Sequence, residues 1–112
     1  MGWTAGGAPP EQVKPYSARV RQAWHDAGKG EPRIVALTYF SIGDDDASKA
    51  YLRDHYAFTG HYADIIAEGV PRTAAAIRER VDAYADIGVD ELILDPTVAD
   101  PAQVDRLAAI VL

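Results

Sequence analysis

Four short groups of residues have types and spacing that chemistry can use. Asp44-Asp45-Asp46 sets three carboxylates side by side, which invites a magnesium or calcium reading. A calcium loop needs alternating oxygen ligands and a distant Glu, however. Consecutive carboxylates just before Ala47-Ser48-Lys49-Ala50 are better explained as an N-cap and a first turn that complements the helix dipole. His55 and His61, with Asp54 and Asp64, put imidazoles and carboxylates in one segment. No histidine pair stands at i, i+4 and Gly60 intervenes, so no metal site is predicted. Gly6-Gly7, directly after Trp3-Thr4, is a turn that would let a phosphate approach the main chain, although turn glycines are also common without a ligand. The fourth group comprises Tyr39-Phe40-Ser41 and Asp95-Pro96-Thr97, each standing at the end of an apolar run.

What gives that last group weight is the element in front of it. In Ala74–Thr97, Ile77, Val81, Tyr84 and Ala85 recur at i, i+4, i+7 and i+8, the period of an amphipathic helix. Gly88 supplies a left-handed stop. Val89, Leu92, Ile93 and Leu94 then form a short apolar strand ending at Asp95-Pro96. A helix, a glycine stop and a brief strand make one unit of a parallel α/β sheet. Ligands of such sheets sit beyond the carboxyl ends of the strands. That rule nominates Asp95 and Thr97, and likewise Tyr39 and Ser41.

The remaining elements follow in order. Trp3 and Thr4 end a short strand. Pro9 to Ala27 reads as a helix with an apolar stripe of Tyr16, Val20, Ala23, Trp24 and Ala27. Its regular part is expected to start near Pro15, because the proline ring clashes with the carbonyl four residues back. Arg33–Ile42 is the strongest strand, nearly continuous in apolar and β-favouring residues, and is expected to be buried on both faces. A helical excursion rich in aromatics spans Asp45–Glu68, with its first helix running to about Thr59 and an interruption at Gly60. Thr73 is a candidate N-cap for the next helix. Asp100 as N-cap, Pro101 at the first helical position and Gln103 at the third open the last one, whose apolar face is Val104, Leu107, Ala108 and Val111.

Composition narrows the function classes. With 112 residues the chain is one domain by size, and 48% hydrophobic with 25% charged residues is ordinary globular content. A net charge of −6 offers no basic patch to displace phosphate counterions, so no nucleic acid is expected as a partner. No run reaches the length of a membrane span and no leader opens the sequence. There is no cysteine, hence no disulfide and no thiolate chemistry. A cytoplasmic protein fits these traits.

Taken together and in order, GWTAGG, PRIVALTYFSIG, AYLRDHYAFTG, AIRERVDAYADIG, VDELILDPTVAD and QVDRLA resemble the C-terminal third of bacterial-luciferase-like monooxygenases. Those enzymes depend on a flavin or a deazaflavin. The resemblance implies part of a (β/α)8 TIM barrel, with Gly2–Ala5 as strand six, Arg33–Ser41 as strand seven and Val89–Leu94 as strand eight. It further implies an oxidoreductase that holds FMN or a deazaflavin at the carboxyl end of the barrel, where Trp3, Thr4, Gly6, Gly7, Tyr39, Ser41, Asp95 and Thr97 would contact cofactor or substrate. Much of the family's pocket comes from earlier strands, so this chain alone is expected to bind cofactor weakly or not at all and to lack activity by itself. The alternatives are a non-catalytic αβ assembly module and one half of a split barrel completed by another chain. Three strands also leave two sheet edges and an inner face. That face is expected to be covered by a second copy, by a complementing barrel fragment, or by the Asp45–Glu68 excursion folded across it.

Overall fold

A computed structural model describes residues 1–112. Its elements are β1 (Gly2–Thr4), α1 (Pro10–Asp26), β2 (Arg33–Phe40), α2 (Asp45–His55), a 3-10 turn (Ala57–Thr59), α3 (Tyr62–Glu68), α4 (Ala74–Asp86), β3 (Glu91–Pro96) and α5 (Ala102–Val111). The strands form one open sheet in the order β1-β2-β3. β1 and β2 are parallel, with Gly2 opposite Arg33, Trp3 opposite Ile34 and Thr4 opposite Val35. β3 also runs parallel to β2. Asp90 N donates to Ile34 O at 2.9 Å and Thr97 N to Phe40 O at 3.0 Å, so the residue numbers rise together along both strands.

The residues group into two compact units, residues 1–38 with 80–94 and residues 39–79 with 95–112. The first unit has its core at Val13, Ala36 and Tyr84, with Trp3, Ala5, Ala8, Ile87, Val89 and Leu92 packed around them. Tyr84 is 1% exposed, and its hydroxyl donates to Ala8 O at 2.5 Å. A buried phenol needs such an acceptor. The second unit buries Phe40, Leu52, Ala63, Ala67 and Ile77. There Arg53 binds Asp64 at 2.8 Å and Glu68 at 3.1 Å, while Lys49 binds Glu68 at 3.2 Å. These bonds tie α2 to α3 across their exposed sides.

Several sequence expectations are corrected. α1 is continuous through Pro15. The proline sits in the second turn and is itself exposed, and the carbonyl it deprives of a partner, that of Glu11, belongs to an exposed residue. The buried stripe of α1 contains Val13 and Ser17 in place of Tyr16, which is 56% exposed. Ser17 tolerates burial because its hydroxyl donates to Lys14 O at 2.9 Å.

β2 is buried on one face only. Ile34, Ala36, Thr38 and Phe40 are enclosed, while Val35, Leu37 and Tyr39 are half-buried. β3 starts two residues later than expected and runs through Asp95-Pro96. The delay arises because Val89 N still bonds Tyr84 O at 3.1 Å, closing α4, before Asp90 reaches β2. α2 ends at His55, ahead of the 3-10 turn. In α5 Gln103 is the buried residue and Val104 is 62% exposed.

Other expectations stand. Gly88 has φ +84°, the left-handed region in which a Cβ is strained, whereas β2 ends at Phe40, two residues short of the expected Ile42. Asp44 caps α2, its carboxylate accepting from Ala47 N at 3.0 Å. Thr73 caps α4 through Ala76 N at 3.1 Å.

Candidate functional site

In the first unit the candidates lie at the carboxyl end of β1. The pleat turns Trp3 toward the unit's core and leaves Thr4 exposed on the opposite face. Gly6 follows with φ +68°, and nothing lies within 4 Å of where its Cβ would stand. Its carbonyl accepts from Leu37 N at 3.0 Å, which pins the turn to β2. Gly6 and Gly7 are both exposed. This turn therefore presents bare main chain to whatever approaches it.

In the second unit the carboxyl ends of β2 and β3 bring Tyr39 and Asp95 together. The Tyr39 hydroxyl lies 2.6 Å from the Tyr56 hydroxyl, and the rings meet edge to face with centroids 6.2 Å apart. Burial first, then the hydrogen bond to Tyr56, then the charges of Tyr56 and Asp95, push the Tyr39 phenol well above its ordinary value. The group is thus a neutral phenol at any physiological pH, with a carboxylate close by. Around it the aromatic series continues, with His55 against Tyr56 at 4.8 Å, Tyr51 stacked on His55 at 6.0 Å and Phe58 tilted against Tyr56 at 6.3 Å.

Ser41 and Thr97 occupy the same strand ends but are enclosed. Ser41 is fully buried, its amide donates to Pro71 O at 3.4 Å, and its hydroxyl has no hydrogen-bond partner. Thr97 belongs to a directed chain of hydrogen bonds. Arg72 can only donate, and it does so to Ser48 Oγ at 3.1 and 3.0 Å. Ser48 Oγ lies 2.5 Å from Thr97 Oγ1, and Thr97 Oγ1 donates to Phe40 O at 3.1 Å. With an obligate donor at one end and a carbonyl at the other, the Ser48 proton points to Thr97. Arg72 also donates to Ala67 O at 2.6 Å, and burial lowers its pKa from the usual guanidinium value.

A second clamp holds the turn after β2. Gln103 donates to Ile42 O and accepts from Ile42 N, both at 2.9 Å, and Arg106 donates to the same carbonyl at 2.9 Å. The expected cap is corrected: α5 starts at Ala102 with Pro101 at the N-cap and no side-chain cap bond, so Asp100 stands one residue further out, accepting from Ala102 N at 3.0 Å, and the Gln103 side chain reaches Ile42 instead of turning back to Asp100.

Sequence reasoning singled out neither Tyr56, Ser48 nor Arg72, and assigned Gln103 only to a cap. One signal was available: Ser48, Leu52 and Tyr56 stand at i, i+4 and i+8, a helix face that carries a small hydroxyl into the interior. No group of three or more His, Asp or Glu side chains is close enough to hold a metal ion.

No protein-family model matches this chain, and no curated protein does. Among solved structures, the chain is similar to an F420-dependent secondary alcohol dehydrogenase in complex with an F420-acetone adduct, with a TM-score of 0.69 at 14% identity. The match covers 98% of this chain and 42% of that chain, so the chain spans less than half the length of that enzyme. At such identity the likeness is one of fold. It bears out the expected class: an α/β chain of three parallel strands with helices, matching a fragment of a TIM-barrel-type enzyme, with the sheet open.

Proposed function

We propose that this chain is a luciferase-like oxidoreductase module whose strand ends help to hold a deazaflavin and a small alcohol or ketone. The observation that carries the reading is the fold match over nearly the whole chain to an F420-dependent alcohol dehydrogenase. That neighbour also favours a deazaflavin over FMN.

The residues fit a planar, oxygen-rich ligand in part. Open space above Gly6 admits a ligand to the main chain, with Thr4 and Gly7 beside it and Trp3 supporting the strand from behind. Within the second unit, taken by itself, Tyr39 offers a phenol kept neutral by burial, a donor to a carbonyl or alkoxide oxygen, and Asp95 offers an acceptor. Ser41 and Thr97 are enclosed and shape the strand ends from within. A deazaflavin supplies hydride transfer when bound, and the protein's part is binding and orientation. The chain by itself is a partial site, since it matches 42% of the neighbour's chain; activity then requires the rest of such a fold. A second reading, a non-catalytic assembly module, is favoured by the uncovered sheet face of the first unit.

Fluorescence titration with a deazaflavin and with FMN tests the proposal. The expected result is saturable binding weaker than micromolar, with the deazaflavin held more tightly. Absence of any saturable deazaflavin response, or a stoichiometric micromolar FMN complex, would overturn it.

A further inference from the structure

Tyr56 follows the end of α2, is half-buried, and is held at its main chain, its ring and its hydroxyl. Its amide donates to Leu52 O at 3.0 Å, and its carbonyl accepts from Thr59 N at 2.9 Å and from Thr59 Oγ1 at 2.6 Å. His55 meets the ring edge to face at 4.8 Å, and Phe58 lies tilted against it at 6.3 Å. The hydroxyl stands 2.6 Å from that of Tyr39. All of these residues belong to the second unit. Two hydroxyls at that separation hold one proton between them, and the other proton points elsewhere. Tyr39 is the member on the strand, with the Asp95 carboxylate close by. Its bond to Tyr56 is one of the causes that keep the Tyr39 phenol protonated, which is the effect of donating a bond and the reverse of accepting one.

We propose that Tyr56 is the residue that touches the ligand: Tyr39 donates to the Tyr56 oxygen, and the Tyr56 proton is left for a carbonyl or alkoxide oxygen, with Tyr39 as the positioning residue behind it. The inference rests on the oxidoreductase reading for the class of ligand, and it moves the terminal donor from Tyr39 to Tyr56. A hydroxyl that accepts one bond donates the next more strongly, so the pair is a better donor than a lone phenol. Around it, Phe58 is 84% and Tyr51 51% exposed. Their rings offer apolar faces on which a flat group can lie. Donor and ring faces together favour a ketone joined to an aromatic group.

Acetophenone isotopically labelled at its carbonyl carbon is the probe. A carbonyl that accepts a hydrogen bond moves its carbon resonance downfield, so the bond is read whether or not a deazaflavin binds. Titrated into the millimolar range, the parent chain should give a saturable downfield shift. Tyr56→Phe should remove that shift and raise the dissociation constant about three- to tenfold, the worth of one hydrogen bond. Tyr39→Phe should keep a smaller shift, because Tyr56 still donates. In ligand-free Tyr56→Phe, with far-UV circular dichroism unchanged, the Tyr39 ring resonance should titrate closer to the ordinary phenol range than in the parent. Burial and the Asp95 and Tyr51 charges remain there, but the Tyr56 bond is gone. A parent without the shift overturns the proposal, as does a shift that survives Tyr56→Phe or that Tyr39→Phe abolishes. An unmoved Tyr39 titration in Tyr56→Phe overturns it too. A ketone shift that obeys these expectations in a chain that ignores deazaflavin supports Tyr56 and removes only the redox reading.

Discussion

Replacing Gly88 probes the junction that delivers β3 to the sheet. Two costs are legible at that position. The backbone stands at φ +84°, and a residue with a Cβ in that region is strained by about 1–2 kcal/mol. The space is also occupied: an added Cβ would lie 2.7 Å from Arg21 Nη2. That nitrogen donates to Ile87 O at 3.2 Å and Gly88 O at 3.0 Å. A guanidinium end is mobile and can swing aside, but only by giving up those bonds, at about 0.5–1 kcal/mol each for a partly hydrated site. Gly88→Ala should therefore cost about 2–4 kcal/mol, and Gly88→Val about 1 kcal/mol more because a β-branched residue resists the left-handed region further. At about 4 °C per kcal/mol for a chain of this size, the alanine variant should melt roughly 8–16 °C lower. Urea unfolding with a double-mutant cycle separates the two costs. In an Arg21→Ala background only the backbone strain remains, so the penalty of Gly88→Ala should fall to about 1–2 kcal/mol. Melts of Gly88→Ala and Gly88→Val that coincide with the parent would refute the reasoning. An unchanged penalty in the Arg21→Ala background would refute the steric part alone.

Other outcomes follow from the buried polar contacts. Gln103→Leu should destabilise by about 1–3 kcal/mol in urea titration, because it leaves Ile42 N without its partner and Ile42 O with Arg106 alone, while an exposed neighbour such as Val104→Ala should be near neutral. Thr97→Val should cost about 1–2 kcal/mol by breaking the relay between Ser48 and Phe40 O, and Thr97→Ser should retain most of it. Burial, opposed in part by Arg80, raises the Tyr84 phenol above its ordinary value of 10.0. The neutral form is therefore favoured in the folded state. The stability this contributes is complete below the unfolded value and is lost as pH rises through the folded one. Thermal melts should fall above about pH 10 in the parent and fall less steeply in Tyr84→Phe, whereas parallel pH profiles would show that Tyr84 does not titrate with unfolding.

Local punctuation in the sequence was a good guide to the fold. Gly88 ends its helix where expected, and Asp44 and Thr73 cap theirs, because these features depend on neighbours a few residues away. Burial was misread where it depends on the partner of a face. Val35 and Leu37 look like core in an apolar run, but the open sheet covers only the Ile34–Phe40 side. Ser17 and Gln103 look like surface, yet each is buried because a main-chain group answers it.

The candidate site divides the same way. Tyr39 and Asp95 were reachable from the rule that strand ends carry ligands. Tyr56 as a hydroxyl partner, 17 residues away, and Gln103 as a clamp on Ile42, 61 residues away, are tertiary facts with no local trace. Pro15 shows the converse: a strong local rule yields where the proline and the residue whose carbonyl it deprives are both exposed.

Backbone amide NMR during titration reads the proposed contact between a deazaflavin and the carboxyl strand ends residue by residue. Labelled protein titrated into the millimolar range with a deazaflavin should show saturable shifts at Thr4, Gly6, Gly7, Tyr39 and Asp95. The same resonances should move less with FMN, and Gln22 and Asp26 on the exposed side of α1 should stay fixed. Shifts confined to residues away from the strand ends, or none at saturating ligand, would rule that contact out.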